Sequence, residues 1–597
     1  MKLVIREYLS MLKESGELEV LLPDLLLAMG IAPLSKAQGG VRQYGVDIAA
    51  RGIDPDDNVD KLFLLTVKQG NLSRNNWDSG KKQDVRPSLN EIEDVYLTKS
   101  IDEEHKDLIK KIIVCCNGDI KQDVEQNWLG YKEKHIEPGI EFDFWGADKI
   151  SLMIEKYLLD EYLFPEQSRK YLRKTIALAD QNEDPQYFYT LIEETLFSKN
   201  ISKSKDKARK ERSKALSILN LSLNIVFHWC SEANNLKPAL LCAERSILRT
   251  WEWLIKNNLM KKPSIMKKYR QIISTYINII GAFINKIKPY CFVKHGLFGW
   301  AEAEEIEYPL RTFEIIGILG SYGMLNWNLA LLVKDDNSKN ILSNEILATA
   351  DILESLIRNN PSAYTPLYDR HANDIALGLI ILRLANKIDC AQYWLNMLGR
   401  RICQGYQISR HFPIHTNSYN DLVNMTVEKS FSKDKLMKAS TIIPLLADWY
   451  AILDFSEEYK EFQKVVNSVF PNTNFMQWFP DETTDNFFYS TNAGYKSGVG
   501  TGLLIHKSID DIKKRIVKLQ ETNFDNYQKV SCIAYGRFSL AAITSRHFQT
   551  PLIPFLWHGL LPDNLAESIQ KRFAQLGGVD DFPVTSREPM RETPKFN

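Results

Sequence analysis

Residues 44–68, YGVDIAARGIDPDDNVDKLFLLTVK, hold two β-type runs around a dense turn signal. YGVDIAAR (44–51) reads as a strand, IDPDDNVD (53–60) as a turn rich in Asp, Asn and Pro, and KLFLLTVK (61–68) as a buried strand. Together they predict a hairpin. Working outward, residues 88–110 read as helix, and KIIVCC (111–116) as a strand stopped by Asn117–Gly118. Residues 119–135 read as helix, IEFDFW (140–145) as strand and 147–160 as helix. Upstream, leucines recur at helical spacing over residues 3–30 until Gly30, with Pro23 inside the run. One interrupted helix and two helices meeting near residue 16 both fit. Gly39–Gly40 reads as a loop. Alternating strands and helices predict an α/β domain with a central mixed sheet flanked by helices.

Beyond residue 165 the pattern turns helical. Stretches at 166–178, 183–198, 214–232, 236–257, 263–288, 306–334, 340–359 and 372–400 are amphipathic or apolar at helical spacing, without a fixed repeat. Residues 199–214, KNISKSKDKARKERSK, are a basic polar run. Residues 405–430 and 470–502 are richer in aromatics, Asn and Gly, residues 508–522 and 564–576 read as helices, and the last dozen as a frayed tail. The expected division is 1–165 (α/β), 166–405 (a helical array) and 406–597 (helical or mixed, for sensing or assembly).

The chain carries 75 Lys+Arg and 75 Asp+Glu, but unevenly. Residues 1–165 hold 21 basic and 30 acidic side chains, which leaves the remainder at +9. An acidic domain repels phosphate backbones, so nucleic acid would need attraction from the basic remainder or a second subunit. Eight scattered cysteines without a CxxC pair argue against zinc and disulfides and point to a reducing cytoplasm. No run of about 18 apolar residues is evident, so no membrane span is expected. The charged N-terminal stretch does not read as a secretion signal.

Phosphodiester hydrolysis needs an activated water, a Lewis acid near the leaving oxygen and charge stabilisation. Carboxylates bind Mg2+ because that hard cation prefers oxygen, and a nearby ammonium offsets phosphate charge. Asp47 on the first run and Lys68 closing the second supply one of each. Asp54, Asp56, Asp57 and Asp60 read as solvated turn residues rather than ligands.

On these residues the N-terminal quarter resembles the Mrr-type branch of the PD-(D/E)XK restriction endonuclease superfamily. The order is Leu18-Glu19, VLLPDLLLAM and Gly30, then Gly45-Val46-Asp47-Ile48, then Thr66-Val67-Lys68 followed by Gln69. Ser88 to Glu93, IIVCCNGD, Gln122 to Trp128 and FDFWGADKISLMIEKYL complete it. The resemblance implies Asp47 as principal metal ligand, Lys68 as catalytic lysine and Glu19 as a second acid. It also implies the Val67 carbonyl as a backbone ligand and Mg2+ (or Mn2+) as cofactor. Thr66 departs from the family pattern, which has Glu or Gln there, and costs the site one strong ligand. Gln69, one residue later, is expected on the opposite face of the strand. Pro23-Asp24 is a decoy for the family's "PD". Arg42, Gln43 and Tyr44 are candidates for backbone contacts or plain loop residues.

The resemblance further implies a DNA endonuclease whose helical region senses a trigger or mediates assembly, as in bacterial anti-phage effectors. Expected partners are DNA, a defence protein or phage trigger, and a second copy of the chain, since two strands need two sites. A catalytically inactive nuclease fold that docks nucleic acid or protein is the alternative, and a pure scaffold a third.

His411 and His415 are separated by Pro413 and do not form a ligand pair. GVGTGLL (498–504) lacks the Lys of a P-loop and reads as a hairpin or tight turn. Trp251 and Trp253 read as core. The basic run 199–214, with Lys261, Lys262, Lys267, Lys268 and Arg270, suits either nucleic acid or a solvated face.

Overall fold

The computed structural model describes the chain except residues 1, 11, 13, 35–43, 82, 158–165, 180–183, 199–204, 301–304, 428–430, 504, 506–507 and 562–597. The expected Gly39–Gly40 loop, Arg42, Gln43, the helix at 564–576 and the C-terminal tail lie outside the described residues. An N-terminal mixed α/β sheet region is followed by a largely helical C-terminal region. The chain divides into two compact units, one of residues 1–247 with 257–279 and one of 248–256 with 280–597.

The first unit is built on five strands in the order β1 (Ala32–Pro33), β2 (Ile48–Ile53), β3 (Asp60–Lys68), β4 (Ile109–Cys116) and β5 (Ile140–Trp145). β1, β2 and β3 are antiparallel; β4 and β5 join in parallel. In the hairpin Ile48 pairs with Leu65 and Ile53 with Asp60. β3 is central, and its residues 61–67 are all buried. Leu62 and Leu64 join Ile112 and Val114 against Val85, Leu89, Val124 and Trp128. Burying each such side chain contributes about 2 kcal/mol. Phe63, Leu65, Ile113 and Cys115 are buried on the opposite face. Helices α1 (Lys2–Leu9) and α2 (Glu19–Ala28) pack with α5 (Ala147–Tyr157). The remaining labels used below are α3 (Val85–Glu91) and α4 (Gln122–Lys134).

Several expectations are corrected. The strand predicted at 44–51 begins at Ile48, because Tyr44 and Gly45 have φ of +50° and +81° and form a turn. At Gly45 a Cβ would lie 2.1 Å from the Ser88 carbonyl oxygen, so the turn presses on α3 where only glycine fits. The helix predicted at 88–110 is three pieces: α3, a π-helix at Ile92–Ser100 and a 3-10 turn at Glu103–His105. Ile109 and Lys110 belong to β4. The basic run is helical from Lys205, at the start of α6 (Lys205–Glu232).

Asp54 is not a solvated turn residue. Its side chain is 2 % exposed and bonds Lys61 Nζ (3.1 Å) and Lys111 Nζ (2.7 Å). Both lysines point inward from β3 and β4, so the turn folds its carboxylate over them. Asn58 supports it with a left-handed φ of +61°, donating its N–H to the Asp54 carbonyl.

Among the described residues of the second unit the regular elements are helices apart from a three-stranded sheet: β6 (Ala439–Ser440), β7 (Asn474–Phe479) and β8 (Val499–Leu503). GVGTGLL supplies β8, antiparallel to β7, after Gly498 at φ +91°. Glu307–Leu332 is, by length and composition alone, apolar enough to cross a membrane, against the expectation. Two thirds of its most apolar window is buried in the protein. Gly317, Gly320 and Gly323 face Asp374, Leu377 and Ile381 so closely that a Cβ would clash, so the neighbouring helix seats directly on its backbone. Trp251 and Trp253 are core, and all eight cysteines are free and buried.

The Asp54 clamp yields a stability prediction. Asp54→Ala leaves two buried ammonium groups short of their shared partner, at a cost of about 3–5 kcal/mol. Burial pushes the Asp54 carboxyl up, but hydrogen bonds from Lys111, the Asp56 N–H and Lys61 outweigh it and hold it below the usual range. Its contribution is therefore complete above the unfolded carboxyl value of about 3.9 and fades as pH falls through the lower folded value. Hydrogen exchange of β3 and β4 amides is the readout: Asp54→Ala loses protection at pH 6, and wild type loses it only in acid.

Candidate active site

Asp47 sits one residue before β2, and its N–H donates to the Leu65 carbonyl (2.8 Å). Its Oδ2 accepts the Val67 N–H at 2.6 Å and lies 3.4 Å from Thr66 Oγ1. The side chain thus takes the place of a backbone acceptor where the β2–β3 ladder runs out. Val67 turns its N–H, and with it its carbonyl, to the Asp47 side of β3. Thr66 is 1 % exposed. The position that holds Glu or Gln in the resembling family is therefore a buried hydroxyl against Asp47.

Lys68 closes β3 and reaches Glu14, with Nζ 3.8 Å from Oε1. Sequence reading missed Glu14. The other Glu14 oxygen accepts the Gln69 N–H (3.0 Å), while Gln69 Nε2 donates to the Leu12 carbonyl (3.1 Å). Asn117, read only as a turn residue, donates to the Leu9 and Leu12 carbonyls and accepts the Gly70 N–H (2.6 Å). These amides fasten the segment after α1 to the end of the sheet.

Residues Glu14–Leu18 form a π-helical turn that runs straight into α2 at Glu19. In an α-helix, side chains five residues apart diverge by about 140°. The i→i+5 closure of a π-turn brings them round toward the same side. Glu14 and Glu19 are five apart, and both charges act on Asp47. Burial pushes the Asp47 carboxyl up, the Val67 N–H and Lys68 pull it down, and Glu19 and Glu14 push it up again; it ends above the usual carboxylate range. Thr66 and the Val67 N–H therefore contact Asp47 at one end of the hairpin, Lys68 pairs with Glu14, and the charges of Lys68, Glu19 and Glu14 act on Asp47.

A second acidic group lies at the other end of β3, about 23 Å away for the seven residues from Lys61 to Lys68. Asp54, Asp57 and Glu141 offer oxygens all within 4.8 Å of one another and could hold a metal ion. Lys61 Nζ already stands among them, 3.1 Å from Asp54, 2.5 Å from Asp57 and 2.7 Å from Glu141. Lys111 adds a second ammonium, bonded to Asp54 and Asp56. An ion would have to displace a buried lysine, whereas at Asp47 a cation would relieve an excess of negative charge. Among the described residues only Asp54, Asp57 and Glu141 bring three ligand oxygens that close together.

Comparison with protein-family models, curated proteins and solved structures finds no match. The class that fold and site define is a mixed α/β sheet domain with acidic groups, one of which could hold a metal ion.

Asp47→Asn removes a half-buried charge that has two glutamates in its field. The metal-free variant is expected to melt a few degrees above wild type, about 2–4 °C per kcal/mol for a unit of this size. Millimolar Mg2+ or Mn2+ should raise the wild-type midpoint and leave Asp47→Asn unmoved. Calorimetry with and without metal checks both halves.

Proposed function

We propose that the sheet domain is a divalent-metal-dependent endonuclease that hydrolyses phosphodiester bonds of DNA. The observation that carries this reading is Asp47 held by the Val67 N–H at the end of β3, with Lys68 paired to Glu14 beside it. Asp47, Glu19, Glu14 and the Val67 carbonyl are hard oxygen donors of the kind Mg2+ or Mn2+ takes. Such an ion, when bound, supplies a Lewis acid beside the scissile phosphate. The Lys68 ammonium, 16 % exposed, is placed to offset the charge that grows on the non-bridging oxygens as water adds to phosphorus. Glu14 orients it. Thr66 holds Asp47 without adding charge, so the site leans on the helical acids in place of a second strand carboxylate.

DNA as substrate follows the resemblance in residue order. The large helical region fits a part that recognises a trigger or mediates assembly, and the role we propose for the whole chain is an effector of bacterial anti-phage defence, on its layout alone. One observation favours a second reading. The buried neutral Thr66 suits a nuclease fold that has lost cleavage and serves to dock nucleic acid or protein.

Cleavage of supercoiled plasmid by the full chain decides between them. The expected result is nicking that requires Mg2+ or Mn2+ and falls at least about 100-fold in Lys68→Ala, the scale of losing one charge-stabilising group. Asp47→Ala should abolish it, and Glu14→Gln should lower it less. Equal residual activity in wild type and both alanine variants would sink the enzyme and leave the docking reading.

A further inference from the structure

The proposed site is surrounded by acid. Its own region carries nine more acidic than basic side chains, and Glu14, Glu17 and Glu19 line its helical edge. A polyanion reaches such a site only if a neighbouring surface attracts it. The same unit supplies one. Residues 205–214 hold six basic and two acidic side chains, and residues 261–270 five basic and no acidic ones.

Both segments lie at the same end of a helix pair. Helix α7 (Pro263–Cys291) meets α6 through Lys268 Nζ on Ser217 Oγ (2.7 Å), Thr275 Oγ1 on Asn220 Oδ1 (2.9 Å) and Asn224 Nδ2 on Thr275 Oγ1 (3.3 Å). Contacts rise together in both helices, so these stretches run parallel and their basic segments overlap, residues 261–265 lying level with 210–214. Ala208, Ile265, Met266 and Tyr269 turn inward, while Lys207, Arg209, Lys210, Lys261, Lys262 and Lys267 are exposed. None of those six stands in an ion pair among the described residues.

The patch adjoins the candidate site. Lys214, one turn beyond Lys210 on α6, is ion-paired with Glu17, which belongs to the same π-turn as Glu14. The basic end of α6 therefore reaches the turn that carries Glu14. No exposed aromatic interrupts either basic segment, Tyr269 being 2 % exposed. Proteins that hold unpaired bases stack them on aromatic rings. A surface of long cations without rings suits backbone phosphates instead.

We infer that the exposed basic ends of α6 and α7 form the track that holds the phosphate backbone of duplex DNA beside the Asp47 site. The inference rests on the nuclease reading for its substrate, but its test does not depend on cleavage. Binding of a labelled 30-base-pair duplex to the full chain is measured by anisotropy in EDTA across a salt series. Lys207→Glu/Lys210→Glu and Lys261→Glu/Lys267→Glu should each weaken binding at least 10-fold. Gln at the same positions should give a smaller loss and a salt slope shallower by about 0.9 per lost contact. Lys134→Glu, on the exposed end of α4, should bind as wild type.

Retained affinity and slope in both α6 and α7 variants would overturn the track, as would absence of duplex binding or preference for single-stranded RNA. Loss of binding in those variants, with no plasmid cleavage by wild type, would leave the track standing and remove the enzyme.

Discussion

The register of the β2–β3 hairpin is held at both ends by charged side chains, and the placement of everything else in the sheet domain follows from it. At the turn, Asp54 folds over Lys61 and Lys111. At the open end, Asp47 takes the Val67 N–H. A slip by one residue would turn Leu62 and Leu64 away from Trp128 and carry both lysines out of reach of their acids. Each tie is polar and therefore costly to break, so between them they admit one pairing.

Both ends gather more carboxylates than ammonium groups. Around Lys61, the carboxylates of Asp54, Asp56, Asp57, Glu141 and Asp143 pair with Lys61, Lys111 and Lys149, and burial strengthens their mutual attraction. At Asp47, Glu14 and Glu19 crowd a carboxylate that has a single lysine nearby. The turn end is also where three oxygens, from Asp54, Asp57 and Glu141, lie close enough to hold a metal ion, with Lys61 standing among them.

The central strands were legible because KLFLLTVK, IIVCC and IEFDFW are apolar runs with sharp stops, and these became β3, β4 and β5 with small shifts at their ends. That Asp47 lies beside the end of β3 followed from pairing YGVDIAAR with KLFLLTVK, whereas Glu19 came only from the resemblance. Glu14 was illegible because helical periodicity assumes 3.6 residues per turn, which sends it away from Glu19; only the π-turn brings it back. Asp54 was misread because turn composition cannot report that two lysines on neighbouring strands point under the turn. The start of β2 was misplaced because a left-handed Tyr44–Gly45 pair looks like any β-type dipeptide in composition. The small sheet of β6, β7 and β8 was missed because its strands are short and one is mostly Gly and Thr.

The π-turn at Glu14–Leu18 makes the site sensitive to chain length in a way its composition does not reveal. A π-turn is an α-helix with one residue too many, retained at a cost in backbone hydrogen bonding. Removing Ser15 or Gly16 would let the helix relax to its ordinary pitch and swing Glu14 round by about 100°. Leu21, Leu22, Leu25 and Leu26 would keep their seats in the core. The acid edge of the site is thus set by counting residues, and a lineage could gain or lose it through one codon deletion without touching an acidic side chain.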